Sequence, residues 1–450
     1  MVKSYIYYII YNITLVTFAG VRRLCRLQRF HSGFKDCIYL IGLQMRNMKP
    51  RVLIVNKFYY PRGGDCVCVL NLERLLGLHG YETAIFSMDY SENIPSEWSP
   101  YFASGIDFSG SVSRKVDAVR RMLGFGDIRK SFSRILDEFN PDIVHLHNIH
   151  SYLSPQLALM ARKRGKRVVW TLHDYKLICP SYSCLADGKV CEECVGGSSF
   201  GVVRHRCMKG SLAASLMAWL EASRWNAAVL EKNVDAFICP SDFMKRMMVK
   251  GGFDESKLVV NCNFIDPVRL SSSADSISES TDAGQYYCYV GRLSDEKGVE
   301  LLLKAAARLP YPLKIAGGGP LYEELAATYG DRQEIEFLGP LSGDRVGALL
   351  RNARFSVVPS VWYENNPLSV IESLSLGTPV VGAAIGGIPE LIRPGIDGLV
   401  FNFGDELDLT SKLAEAWNKK WDHEGIKAHA LKSFSAETHF ATLERAYGLK

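Results

Sequence analysis

Two glutamates stand eight positions apart in the run Val357-Val-Pro-Ser-Val-Trp-Tyr-Glu364-Asn-Asn-Pro-Leu-Ser-Val-Ile-Glu372. A carboxylate accepts hydrogen bonds and suits a hydroxyl-rich ligand. The apolar stretch Phe355 to Val358 predicts a strand running into a loop that carries Glu364. Asn366 is then placed to cap a helix that begins at Pro367 and ends at Gly377, with Glu372 about one and a half turns inside it. The N-terminus of such a helix offers backbone N–H groups and a partial positive charge, which suit phosphate. Grips for hydroxyls and for an anion on one element fit a sugar nucleotide.

Other candidates also follow strand-like segments. In Gly291-Arg292-Leu-Ser-Asp-Glu-Lys297-Gly298, Arg292 can grip a diphosphate bidentately and Lys297 can add a mobile point charge. The plainer alternative is a surface ion pair with Asp295 or Glu296. Gly317-Gly318-Gly319-Pro320 lets backbone approach a ligand, but it lacks the third glycine of the dinucleotide fingerprint. Tyr60-Pro-Arg-Gly63-Gly64-Asp65 opens another helix, and Thr171-Leu-His173-Asp174-Tyr175 closes another strand. His145 lies in an apolar run and reads as a satisfied core histidine. His147 and Asn148, with Gly63 and Asp174, are expected to line one wall of a ligand cleft. Five of the twelve cysteines form Cys179-x4-Cys184-x6-Cys191-x2-Cys194-x12-Cys207. That spacing suits a structural zinc, most plausibly on Cys184, Cys191, Cys194 and Cys207, with ordinary reduced thiols as the alternative. A disulfide framework does not fit a chain of this size without an export signal.

Taken in order, Tyr289 to Gly298, Ile315 to Pro320, the Glu-x7-Glu pair, Gly377-Thr-Pro-Val-Val-Gly382 and Gly386-Gly-Ile-Pro-Glu390 resemble the retaining glycosyltransferases of family 4. The likeness runs from about Arg51 to the C-terminus. It implies the GT-B fold, an α/β architecture of two Rossmann-like domains facing across a cleft. It also implies transfer of a hexose-type unit from a nucleoside diphosphate sugar to an acceptor hydroxyl, on a saccharide or a lipid-linked surface polysaccharide precursor. On this resemblance Arg292 and Lys297 hold the donor diphosphate, Glu364 meets the sugar, Glu372 the ribose, and His173 stands near the donor sugar. Gly64 would offer its amide to the donor phosphate, and Gly318 and Gly319 would lie near the nucleotide. The family's usual Phe-Gly pair after the first glutamate is replaced by Asn365-Asn366-Pro367-Leu368, so asparagine side chains are expected to grip the donor. Pro367 also removes one backbone N–H. With two cations at the diphosphate and no Asp-x-Asp pair in a plausible loop, no catalytic metal is expected. Same-fold alternatives are a nucleotide-sugar epimerase or a phosphorylase. A non-catalytic sugar-nucleotide-binding protein would typically have lost Lys297 or Glu364.

The elements that must position these residues alternate between strand and helix, which argues for parallel sheets. Strands are predicted at 51–55, 142–146, 167–172 and 235–239, then at 286–290, 313–316, 335–338, 355–358 and 379–381. A helix over 64–79 is expected to turn Val67, Leu70, Leu72, Leu75 and Leu76 inward. The acceptor-side domain spans 51–265, with the cysteine-rich insertion at 179–207. The nucleotide-sugar domain spans 266–432, and a C-terminal helix occupies 433–450. The join is expected near Asn263 to Pro267, with Ser271 to Thr281 as an exposed connection. At 450 residues, 47% hydrophobic and 22% charged, the chain is globular, and a net charge of +5 does not imply nucleic-acid binding. Cations concentrate in Ser113 to Arg134, which reads as a basic amphipathic helix able to meet anionic lipid. Tyr5 to Val21 is uncharged and followed by Arg22, Arg23, Arg26 and Arg29. Residues 1–50 form an extension open to three readings: a weak anchor, an interfacial segment, or a false start before Met48. The first two place the enzyme in the cytoplasm at the inner membrane face.

Overall fold

The computed structural model describes residues 49–106, 112–265 and 283–450, with 112–115 as backbone alone. The expected N-terminal anchor and the serine-rich connection lie outside these residues. Fourteen strands are assigned among them: β1 (Val52–Val55), β2 (Thr83–Phe86), β3 (Ile143–Leu146), β4 (Arg167–Thr171), β5 (Leu185–Ala186), β6 (Lys189–Val190), β7 (Ala236–Cys239), β8 (Leu258–Val260), β9 (Tyr287–Val290), β10 (Leu313–Ala316), β11 (Ile335–Gly339), β12 (Ser356–Val358), β13 (Val380–Ala383) and β14 (Gly398–Phe401). They build two six-stranded sheets, ordered β2-β1-β3-β4-β7-β8 and β11-β10-β9-β12-β13-β14, with every pairing parallel. Helices cover both faces, so β1, β3, β7 and β13 are buried along their whole length, and all but β3, which carries His145, read as continuous apolar runs. Both sheets follow the expected α/β design, the second in the 3-2-1-4-5-6 order of a nucleotide-binding sheet.

Five strands escape the sequence reading: β5 and β6, a two-residue pair in the cysteine-rich insertion, and β2, β8 and β14. The last three lie at the edges of the six-stranded sheets and have three or four residues each. The first helix, Gly64–Leu78, buries Cys66, Val69, Leu72, Leu75 and Leu76. Val67 and Leu70 are only half-buried, so its inward face is rotated from the expected one. The single basic helix expected over 113–134 is two helices, Val112–Met122 and Ile128–Phe139, separated by Gly124 and Gly126 at φ +92° and +96°. Arg121 is not available to lipid. It is buried and donates to Asp127 and to both the carbonyl and the hydroxyl of Ser104.

The chain ends in the helix Ala436–Ala446, which packs back against the first sheet through Phe440, Leu443, Ala446 and Tyr447. The segment leaving the first lobe and the turn at which the chain returns to it meet directly. The Ile265 amide donates to the Phe434 carbonyl at 3.2 Å, and His439 reaches the Cys262 carbonyl at 2.8 Å. Among the described residues, no helix is long and apolar enough to cross a membrane.

Candidate active site

In the second sheet the chain leaves β9 and β12, which are neighbours, in opposite directions. A crevice opens at the carboxyl ends of strands at such a reversal. The loops Gly291–Gly298 and Pro359–Asn366 emerge there. They face the loops that follow β1 and β4, and the cleft between is lined by Gly64, Asp65, His173, Asp174, Arg292, Lys297, Glu364 and Leu368, among others.

Glu364 is buried, and its Oε1 accepts from Lys297 Nζ at 2.6 Å and from Ser360 Oγ at 2.8 Å. Two loops sixty residues apart are brought together by a backbone bond from the Val361 amide to the Glu296 carbonyl, 3.0 Å. The Lys297 ammonium also lies 5.2 Å from the Trp362 ring centroid. Arg292 makes the plainer contact: Nη2 pairs with Glu296 Oε1 at 2.6 Å. Its side chain is largely exposed, so that pair is weak and a doubly charged diphosphate can displace it.

Gly318 and Gly319 do not line the cleft. Gly317 and Gly319, at φ +145° and +155°, let their turn pass beneath the Arg292 loop; a Cβ on Gly319 would lie 2.3 Å from the Leu293 carbonyl oxygen. Their role in this geometry is to carry that loop, and Gly318 accepts the Leu293 amide through its carbonyl at 2.9 Å. A second turn, Gly386-Gly387, supports Glu364 from behind. The Gly387 amide donates to the Glu364 carbonyl at 2.7 Å, and a Cβ there would lie 1.9 Å from the Asn365 carbonyl oxygen. Gly387→Ala is therefore expected to destabilise the protein by roughly 2–4 kcal/mol, because backbone must move. Thermal unfolding checks this; an unchanged Tm would mean that the turn yields freely.

The cap of the following helix differs from expectation. The helix spans Leu368–Ser375, and Pro367 rather than Asn366 is its cap residue. The Asn366 side chain is engaged elsewhere: its Oδ1 accepts the Asn263 amide at 3.0 Å, and its backbone carbonyl accepts Asn263 Nδ2 at 2.8 Å. Asn365 donates to the Leu172 carbonyl at 2.8 Å and contacts Ser241 Oγ at 3.0 Å. Both asparagines border the cleft, but their polar groups tie the lobes together rather than point freely at a ligand. Glu390, which the motif reading left without a role, caps the helix Asp242–Lys250 of the other lobe. It accepts the Asp242 and Phe243 amides at 2.8 and 2.6 Å. Glu372 is half-buried in its helix, on the side of Cys68.

Across the cleft, Gly63 is the extended cap residue of helix Gly64–Leu78. A Cβ on Gly64 would lie 3.9 Å from Leu368 Cδ1, so the N-termini of the two helices face each other. Facing helix N-termini concentrate positive potential between them. Asp65 was not singled out in the sequence although it closes a quoted motif. Burial pushes its carboxyl up, but His173, Lys57 and the bond from Asn148 (2.9 Å) hold it net below the ordinary value. Burial pushes His173 down, with Asp65 opposing, so the ring is neutral at neutral pH. His147 does not line the cleft. It is buried behind His173, with Nδ1 3.0 Å from His173 Nε2, which leaves Nδ1 of His173 for a ligand. His147 therefore orients His173 instead of meeting an acceptor. Asn148 likewise orients Asp65. Burial raises the Asp174 carboxyl, with Lys57 opposing. His145 is the satisfied core histidine expected, 2.8 Å from both Tyr447 OH and Thr171 Oγ1.

In the cysteine-rich insertion, Cys179, Cys191, Cys194 and Cys207 line one small cavity with His205. Cys184 is outside that set: at φ +51° it is turned into the core against Cys179. The cysteines described are free thiols, and no three His, Cys, Asp or Glu groups among the described residues are gathered as metal ligands. The insertion also touches the second lobe, where Tyr363 OH donates to Glu192.

Residues 62–269 match the family model described as Glycosyltransferase Family 4, and residues 274–433 match Glycosyl transferases group 1. An uncharacterized glycosyltransferase of Methanocaldococcus jannaschii is 26% identical over 42% of this chain, and the match spans about half of that relative, 51%. The sucrose-phosphate synthase of Thermosynechococcus elongatus superposes with a TM-score of 0.64 at 18% identity, covering 89% of this chain and 98% of that one. Anabaena HepE, solved in complex with UDP and glucose, superposes at 0.56 and 15% identity, covering 89% of this chain and all of that one. These likenesses establish the fold of the two facing lobes.

Proposed function

The chain belongs to glycosyltransferase family 4, with the GT-B fold, and from that premise we propose that it transfers a hexose-type sugar from a nucleoside diphosphate sugar to an acceptor hydroxyl with retention at the anomeric carbon. The observation that carries this reading is the Lys297–Glu364 pair, set beside Arg292 and opposite the Gly64 helix N-terminus. As the bond from the anomeric carbon to the diphosphate oxygen breaks, negative charge grows on the leaving group. Lys297, Arg292 and the facing amides meet that charge. The acceptor oxygen forms its bond on the same face of the sugar, and its proton passes to the departing phosphate oxygen. Glu364 orients the sugar and Glu372 the ribose. His173 Nδ1 donates to a sugar hydroxyl or to the leaving phosphate. The acceptor proposed is a saccharide or lipid-linked polysaccharide precursor at the inner face of the cell membrane. Mass-spectrometric screening of nucleoside diphosphate sugars for slow hydrolysis by the purified chain tests the reading and names the donor. Turnover of none of them, with or without added acceptors, would overturn it.

No metal ion enters this step, so turnover is expected to survive strong chelation. A structural zinc on Cys184, Cys191, Cys194 and Cys207 is a separate proposal that rests on their spacing alone, since no three such groups are gathered among the described residues. Elemental analysis of protein purified without added metal decides it: about one zinc per chain supports the site, and none removes it.

A further inference from the structure

The helix Leu212–Arg224 buries one face and leaves the other bare. Ser215, Ala218 and Glu221 are buried. Leu212, Leu216 and Leu220, one turn apart on the opposite side, are 53%, 42% and 40% exposed. Phe200, packed edge-on against Trp219 at 5.5 Å, adds a fourth large apolar group at 45%. Three half-exposed leucines in a row on a short helix are not the scattered apolar residues of an ordinary surface. Their surroundings are cationic. Arg204, Arg206, Lys209 and Arg224 are all exposed, and Glu221, the one acid between residues 201 and 225, is buried in a pair with Lys176 at 3.0 Å. The nearest exposed acid upstream, Glu193, is bound to Arg204 and His205.

The C-terminal end of this helix joins the other cationic segment. Trp225 donates its indole N–H to the Met122 carbonyl at 2.9 Å, and the turn beyond Met122 carries Phe125, 50% exposed. Arg120, Arg129 and Lys130 nearby are exposed, with Asp117 among them and Asp127 bound to Arg121. A bare apolar stripe flanked by exposed cations, with its own acid buried, is complementary to an anionic lipid surface, where leucines enter the acyl boundary and cations meet headgroup phosphates.

We propose that the Leu212–Leu216–Leu220 face seats this chain on anionic membrane. The buried side of the same helix is fastened to the cleft wall: Glu221 accepts from the Ser151 amide and hydroxyl at 2.8 and 2.9 Å, and its partner Lys176 donates its amide to Asp174 at 2.9 Å. Docking would therefore bring the acceptor side of the cleft to the bilayer. That consequence for a lipid-linked acceptor rests on the transferase reading; the docking itself does not.

The test is flotation of the full chain with vesicles of phosphatidylcholine alone or with added phosphatidylglycerol. Wild type is expected to bind the anionic vesicles preferentially and to release as salt rises. Leu212→Gln/Leu216→Gln/Leu220→Gln should weaken binding about fortyfold to a thousandfold, since three half-exposed leucines lose roughly half of a full burial term each. Arg206→Gln/Lys209→Gln should weaken binding to anionic vesicles and leave the small affinity for neutral ones unchanged. Donor hydrolysis in solution and Tm should match wild type in both variants, which separates a failure here from a failure of the transferase reading. Equal flotation of the leucine variant and wild type would overturn the proposal. So would a dimer in solution that the leucine variant dissociates, because the face would then belong to a second copy.

Discussion

Lys297→Ala is expected to lower kcat by roughly two to three orders of magnitude, the usual scale of losing one charged partner of a developing oxyanion. That is about 3–4 kcal/mol of transition-state stabilisation. The fold should survive, because Glu364 keeps its bond from Ser360 and the site opens onto the cleft. Arg292→Ala should act in the same direction, and its ground-state partner Glu296 keeps the bond from Ser294 Oγ at 2.7 Å. The two variants should not be additive if both cations serve the same leaving group. Single-turnover assays with saturating donor isolate the step. Wild-type rates in both variants would end the assignment of the diphosphate clamp.

The two glutamates should separate under mutation. Glu364→Ala is expected to damage transfer by a comparable factor while leaving nucleoside diphosphate affinity nearly intact, because it faces Lys297 and the sugar side. Glu372→Ala should do the reverse and weaken the nucleotide by about tenfold to a hundredfold, the scale of one lost charge-assisted bond. Calorimetric titration of each variant with the nucleoside diphosphate distinguishes them. Lost affinity in Glu364→Ala with retained affinity in Glu372→Ala would exchange the two roles.

The placement of the Arg292 and Glu364 loops at the cleft was legible because its requirements are local. Strand, glycine and cation must follow one another closely to bring backbone and charge to a phosphate, so Arg292, Lys297 and Glu364 could be read from neighbouring residues. The asparagines could not be read in the same way. Asn365 and Asn366 meet partners 193 and 103 residues away, and nothing near them in sequence records those partners. His147 was misplaced for a related reason. Strand alternation puts it near His173, but depth behind a ring is a property of the packed sheet. Gly124 and Gly126 did carry a signal, and the regular apolar spacing of the segment obscured the break they impose. The edge strands were too short to leave a long apolar run.

The meeting of Ile265 with Phe434 has a mechanical meaning. The outgoing and returning segments cross between the lobes side by side, so the backbone joins them at one knuckle, as in a pair of tongs. Among the described residues, further ties at the cleft edge run through Tyr363, Asn365, Asn366 and Glu390, all on or directly behind the loop that carries Glu364. Prising the jaws apart therefore strains that loop first. The position of the Glu364 carboxylate and the width of the mouth are one mechanical variable, so a ligand that holds Glu364 in place also holds the tongs shut.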